Sequence, residues 1–382
     1  MNKPKICIIG NGLAGLSTAA ILSHENISID LYTGSNKKNK SKTDNRTTAI
    51  SESSYNFIKQ KLKIKNKNIF WPCDEIDLFF EDIKSISKFL EFKEKNKNLM
   101  YIFQNNELKQ KLKKLISKKK NIRLIKKNIT DINYLDGSVA LDKNNFFYDL
   151  IILSTGNNSK LYNKITEGRS IKKNYKEIAL TSIISHNSKI KKVSQFFLKE
   201  GPLAILPFSK KKFSVVWSVD IEYFRKKHML LKKILVSKIK NLLNNPKIIS
   251  ITRIQSFPIN LNLKTKYFKN NVLILGDGLH SIHPMAGQGF NLVLRDIKKL
   301  SELLSKSLRL GLMIKNTFLL KDFYQARKPE NIILGLGVNL TNIFFKDNKY
   351  FSPIRRKILN NISNSKFIKK ISQTISDKGI SI

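Results

Sequence analysis

Short apolar runs closed by glycine alternate with stretches of helical periodicity at both ends of this chain, and the middle breaks that rhythm. Residues 5–10, KICIIG, predict a buried strand, 13–24 a helix and 27–33, ISIDLYT, a second strand, the opening of a βαβ unit. A polar loop over 34–45 follows, then helix-like patterning over 46–63. IDLFF (76–80) and LMYIF (99–103) read as strands, 106–120 as an amphipathic helix, and NIRLIKK and SVALD as short strands. YDLIILSTG (148–156) reads as a buried strand ending in glycine. From 178 to 220 four strand-like runs, IALTSIIS, SQFFLKEG, LAILPFS and FSVVWSV, succeed one another without helices between them. A helix over 222–244 and a strand near 249–257 complete that region. NVLILGD then restores the pattern of buried strand plus helix, and 320–382 reads as mostly helical. The pattern predicts an α/β protein: a Rossmann-like layer built from both ends of the chain, an inserted strand-rich domain and a helical C-terminus. No internal repeat is evident.

The length, 382 residues, gives room for about two domains and a sizeable core. No apolar run approaches the ~18 residues needed to span a bilayer. The N-terminus has the basic start and apolar stretch of a signal peptide, but its glycines fit a folded element better. Cys7 falls in an expected buried strand, away from Cys73, which argues against a disulfide and for a reducing cytoplasm. The net charge of +43 brings nucleic acid to mind. Yet only 10 of the 71 basic residues are Arg, the residue that makes bidentate contacts to bases and phosphates. The lysines are spread along the chain among abundant Asn and Ile, the composition that AT-rich codons produce. A solvated basic surface follows, with attraction to anionic lipid or polymer as the alternative.

Candidate chemistry gathers at strand ends. Gly10-Asn11-Gly12-Leu13-Ala14-Gly15 directly follows the first strand and opens the first helix. That spacing suits a dinucleotide: one glycine for the tight turn, one for the approach of a pyrophosphate, one for close packing, with the phosphates at the positive helix start. The acidic residue that normally clamps the ribose is missing. Thr33 stands there, and Asp30 points to the opposite face of its strand. Gly156, in STGNNS (154–159), allows close backbone approach. GDGLHSIHPMAGQGFNLVLRD (276–296) places Asp277 where sugar hydroxyls could donate to it, and begins a helix at Gly287-Gln288-Gly289, whose free N–H groups would favour an anion. His280 and His283 have no evident third ligand, so no metal site is expected and a hydrogen-bonded structural role is.

Taken in order, GxGxxG, RTTAIS (46–51), LMYIFQNNEL, STGNNS, GPLAILP…SVVW, the 276–296 stretch and FYQARKPE resemble the class A FAD-dependent aromatic monooxygenases. The match is closest to the ubiquinone-biosynthesis hydroxylases and covers roughly residues 5–370. The resemblance implies a para-hydroxybenzoate-hydroxylase-like fold, with a Rossmann-like FAD-binding domain of glutathione-reductase type. That domain would comprise 1–75, 99–175 and 265–319. A substrate domain would comprise 76–98 and 176–264, and a helical region 320–382. It further implies FAD lying across Gly10, Gly12, Leu13, Ala14, Gly15, Thr33, Arg46, Gln104, Gly156 and Asp277. The flavin ring would lie near the backbone of Pro284, Gly287, Gln288 and Gly289 and beside Phe290 and Asn291, with substrate near Leu206 and Pro207. Thr33 and Thr155 depart from the family's usual acidic residues.

Gly335-Leu336-Gly337 does not complete a second fingerprint, so NAD(P)H would visit the flavin without a Rossmann domain of its own. The family's chemistry would then run through NAD(P)H-reduced flavin, O2 and a C4a-hydroperoxide to hydroxylation of a polyprenylated phenol in ubiquinone biosynthesis. Two alternatives stay open: a related flavin enzyme acting on a soluble aromatic acid or reducing a prenyl chain, and a basic, non-catalytic binding protein with an eroded flavin site. A lipid substrate implies a cytoplasmic protein held at the inner face of the membrane, possible contact with other enzymes of the pathway, and no nucleic acid. Residues 353–378 place Ile354, Ile358, Ile362, Phe367, Ile368, Ile371 and Ile375 at near-helical spacing among lysines and arginines. Such a helix suits a lipid surface, or equally the chain's own domain.

Overall fold

Parallel pairing of the buried runs builds the first layer. The structure is a computed structural model describing residues 3–34, 44–64, 69–82, 85–141, 144–157, 159–346, 358–359, 361 and 365–379. Six strands lie in the order Phe268–Lys269, Val272–Ile274, Leu150–Leu153, Lys5–Ile9, Ser28–Tyr32, Ile122–Ile125. Lys5–Ile9 pairs in parallel with the strands on both sides. Strands covered on both faces carry continuous apolar sequence, and Ile6, Cys7, Ile8, Leu150, Ile151, Ile152 and Leu153 are all fully buried. Leu108, Leu112 and Ile116 of the helix Asn105–Ile116 recur every four residues and share its buried face.

The second layer is a nine-stranded sheet. Its spine is the 17-residue strand Ser170–His186, flanked by Lys212–Asp220 and Gln255–Lys264. Next come Gly201–Ser209, Val193–Leu198, Glu75–Glu81 and Ile86–Lys93. The helix Leu231–Leu242 covers one face, burying Leu231, Leu235 and Ile239 against Trp217, Phe196 and Ile205. The opposite face remains for a ligand.

Three local expectations change. Residues 46–63 are not one helix: Thr47–Ser51 is a strand paired with Met100–Gln104, and the helix begins only at Glu52. Two threonines and Ile50 suit a strand, and the Ser51 side chain caps the helix by accepting from the Ser54 N–H. The helix over 222–244 is interrupted by a 3₁₀ turn at His228–Leu230. Ile86–Lys93, an edge strand whose lysines hide its alternation, is additional to the expected strands. Of the polar loop over 34–45, residues 35–43 lie outside the described residues, as does Asn158 of STGNNS. Among the described residues no helix is long and apolar enough to cross a membrane.

Candidate functional site

The first strand ends at Gly10, whose φ of +146° turns the chain hard against the next strand over: a Cβ there would fall 2.2 Å from the Ser154 carbonyl oxygen. A Cβ on Gly15 would sit 2.5 Å from the Gly10 carbonyl oxygen. These two glycines permit close packing. Gly12 differs, because nothing lies within 4 Å of a Cβ built on it. It stands at the start of the helix Leu13–Leu22, which has no side-chain cap. The first-turn N–H groups are therefore left for something else. Gly12, Leu13 and Ala14 line a cavity of about 1050 Å³.

The histidine–proline loop forms another wall of that cavity. Asp277, Pro284, Gly287, Gln288, Gly289, Phe290 and Asn291 all line it, together with Arg46 and Gly156. The helix Gln288–Arg309 starts at Gly287, φ +65°, again with no side-chain cap. Two uncapped helix starts thus open on one space, both favouring an anion. Near them, Asn11 Oδ1 and Gln288 Oε1 are buried without a hydrogen-bond partner among the described residues. The free donors, the open space over Gly12 and the orphaned amide oxygens fit a dinucleotide carrying a flat ring.

Three of the expected contacts do not line this cavity. Thr33 does not line the cavity; it follows the second strand, where its N–H donates to the Ile125 carbonyl at 2.9 Å. Asp30 cannot replace it, because its buried carboxylate accepts two bonds from Arg123 and one from Tyr148. Gln104 occupies the N-cap position of the helix Asn105–Ile116 without a side-chain cap bond, while Asn105 lines the cavity. Pro207 is buried on the face of Gly201–Ser209 opposite Leu206, since successive strand residues alternate. Leu206 lines the cavity. Asn291 lines it too, but its side chain is engaged within the protein: Oδ1 accepts from the Ser51 N–H at 2.9 Å and Nδ2 donates to the Gly287 carbonyl at 3.1 Å. It fixes the strand Thr47–Ser51 against the helix start. Arg46 is held by Asp44 through two 2.8 Å bonds and lies over the Phe257 ring.

A buried polar scaffold holds these walls. His280 Nε2 meets Asp296 Oδ2 at 2.6 Å, and Asp296 Oδ1 accepts from Arg327 Nε at 2.7 Å and Asn331 Nδ2 at 3.2 Å. Burial pushes the Asp296 carboxyl up, but Arg327 and His280 outweigh it and leave the pKa lowered. His283 Nε2 meets Glu177 Oε2 at 2.9 Å, and burial of Glu177 is likewise outweighed by His283 and Lys346. Both histidines are thus joined to carboxylates. The sequence offered a partial signal for the first pair, in the Arg295-Asp296 dipeptide and FYQAR. It offered none for Tyr162. That hydroxyl accepts from Thr155 Oγ1 at 2.9 Å, donates to the Gly156 carbonyl at 2.8 Å and lies where a Cβ on Gly278 would be. Burial pushes its pKa up to about 12.

The C-terminal helix Lys366–Lys378 packs on this same body. Asp377 Oδ1 accepts from the Ser53 N–H at 2.8 Å, and Arg295 donates to the carbonyls of Ser376 and Asp377 at 3.0 and 3.2 Å. Gln373 and Ser376 line the cavity. Residues 353–357, 360 and 362–364 of the expected amphipathic stretch lie outside the described residues, and Ile371 is 41% exposed.

Residues 156–311 match the family model described as an FAD binding domain, a stretch that holds the histidine–proline loop but not the N-terminal glycine turn. The chain is 30% identical over 205 residues to the ubiquinone biosynthesis monooxygenase COQ6 of Dictyostelium discoideum, covering 44% of this chain and 41% of that protein. It is 26% identical over 207 residues to the 3-demethoxyubiquinol 3-hydroxylase of Escherichia coli, covering 54% and 52%. The matched stretches thus span about half the length of these relatives. Among solved structures, p-nitrophenol 4-monooxygenase PnpA from Pseudomonas putida superposes with a TM-score of 0.78 at 13% identity, covering 100% of both chains. Klebsiella pneumoniae HpxO, complexed with FAD and uric acid, gives 0.75 at 14% identity, covering 98% of this chain and 97% of that one. In fold and in sequence, then, this chain is similar to the FAD-dependent hydroxylases of ubiquinone biosynthesis, built on the class A flavoprotein monooxygenase fold.

Proposed function

We propose that the protein is an FAD-dependent monooxygenase that hydroxylates the aromatic ring of a polyprenylated phenol in ubiquinone biosynthesis. The observation that carries this reading is the single cavity on which the Gly12 turn and the Gly287–Gly289 helix start both open, floored by the nine-stranded sheet. Gly12, Leu13 and Ala14 would hold the pyrophosphate through backbone N–H groups, and the Gln288 helix start would stabilise negative charge on the ring. Bound FAD would supply the redox chemistry, accepting hydride from NAD(P)H and activating O2. The balance is NAD(P)H, a proton, O2 and a phenol giving NAD(P)+, water and the hydroxylated ring. The largely apolar lining would exclude water from that transfer. A prenylated substrate also suits a cavity whose lining includes Phe89, Phe92, Phe344 and Phe345.

A lipid substrate favours peripheral binding to an anionic membrane. The charge of +43 and the exposed Leu340, Ile343 and Ile371 support it. Co-flotation with anionic vesicles tests it, and equal recovery with neutral vesicles would exclude the electrostatic part.

The function is tested on the purified protein. A flavin enzyme is yellow, absorbing near ~450 nm, and consumes O2 and NAD(P)H in step with formation of a hydroxylated alkylphenol. Turnover under anaerobic conditions would instead indicate a reductase, and a colourless protein that takes up no FAD would refute the flavin reading.

A further inference from the structure

The floor of the cavity carries a row of side chains fixed by strand register. Thr181 pairs with Val216, Val216 with Ala204, Ala204 with Gln195, and Gln195 with Leu78. All five line the cavity. In the middle, Val216 and Ala204 are small and apolar. On either side stands a buried polar group. Thr181 is 3% exposed, and its Oγ1 has no hydrogen-bond partner among the described residues. Gln195 is 8% exposed, and among the described residues its amide makes only a 3.5 Å contact to the Phe196 carbonyl. Leaving Thr181 Oγ1 unpaired is costly, so a ligand with a matching polar atom would gain there, and the weakly held Gln195 amide is available to a second polar atom.

Spacing indicates what that ligand is. Thr181 and Gln195 stand three strands apart, about 14 Å between backbones. A six-membered ring with oxygens at opposite ends and a hydrogen bond at each spans about 11 Å, and the reach of the Gln195 side chain along the row covers the difference. Beyond Gln195 the surface turns apolar, where the rings of Phe197 and Phe345 stack at 3.5 Å.

We propose that Thr181 and Gln195 form an oxygen-reading pair: each hydrogen-bonds one of two opposed oxygen substituents on the substrate ring, which lies over Val216 and Ala204, while an alkyl chain leaves past Leu78 toward Phe197 and Phe345. This deepens the proposed function and rests on it. The preferred substrate is a ring of hydroquinone type carrying a hydrophobic tail, in preference to a ring with a single hydroxyl. Both residues are specificity-determining.

The test is equilibrium binding to the FAD-loaded protein, followed by the flavin absorbance spectrum. The probes are decylhydroquinone and the two decylphenols that each lack one of its hydroxyls. Wild type binds decylhydroquinone about tenfold more tightly than either decylphenol, as loss of one buried hydrogen bond dictates. Gln195→Met and Thr181→Val keep the side-chain volume and the flavin. Each abolishes the preference against one decylphenol and retains it against the other. If both variants hold FAD and keep the wild-type preferences, the assignment is wrong. Wild type that holds FAD but binds all three probes alike also overturns it and leaves the proposed function standing. Wild type that takes up no FAD overturns both.

Discussion

Substitution of the N-terminal glycines separates ligand binding from folding. At Gly10 an alanine Cβ would overlap the Ser154 carbonyl oxygen at 2.2 Å, on a backbone at φ +146°. Both the overlap and the backbone conformation oppose it, so Gly10→Ala should destabilise the fold by at least about 3 kcal/mol. Gly12→Ala places its methyl where the protein has no atom within 4 Å, at φ −83°, a conformation alanine adopts freely. The folded protein should lose no more than about 1 kcal/mol, the difference between glycine and alanine at a helix start. The same methyl occupies the space through which a pyrophosphate must reach the helix N–H groups. FAD affinity should fall at least tenfold, which is about 1.4 kcal/mol. Urea unfolding of the FAD-free protein measures the first quantity, and quenching of flavin fluorescence on titration measures the second. If Gly12→Ala folds normally and binds FAD as wild type does, the pyrophosphate does not lie on this turn.

Other consequences follow from the buried scaffold. Asp296→Ala leaves the buried His280 and Arg327 without their shared carboxylate, and should cost about 3–5 kcal/mol in the urea unfolding free energy. Acid should unfold the protein for a related reason. Asp296 and Glu177 have folded pKa values below those of the free side chains, so their stabilisation is complete above about pH 4–5 and is lost as the pH falls through the folded values. A melting temperature that does not drop below pH 4 would contradict this. Arg295→Met removes the donors to the C-terminal helix and should speed proteolysis of residues 366–378 several-fold, as assayed by limited digestion, while the nine-stranded sheet stays protected.

The sequence alone settled the layer types, because a strand covered on both faces must be apolar throughout and a glycine-rich turn between strand and helix has few uses. Gly12, Asp277 and Gly287–Gly289 were legible as candidates for that reason, and all of them line the cavity. Thr33 and Pro207 do not line the cavity: Pro207 presents the opposite face of its strand from Leu206, and Thr33 lies just past the strand Ser28–Tyr32, details of register and strand end that sequence does not print. The role of Asn291 was hidden similarly: an asparagine at a helix start can serve a ligand or the backbone beside it, and only the approach of Ser51, 240 residues away in sequence, decided for the backbone. Tyr162 carried no signal, since a tyrosine gains its partners only when the loops holding Gly156 and Gly278 converge. What tertiary structure alone decided was juxtaposition. The row from Thr181 to Leu78 crosses four successive strands of residues 170–220, paired out of chain order, and a fifth from the first quarter of the chain, and such pairing, unlike local periodicity, leaves no mark within any one segment.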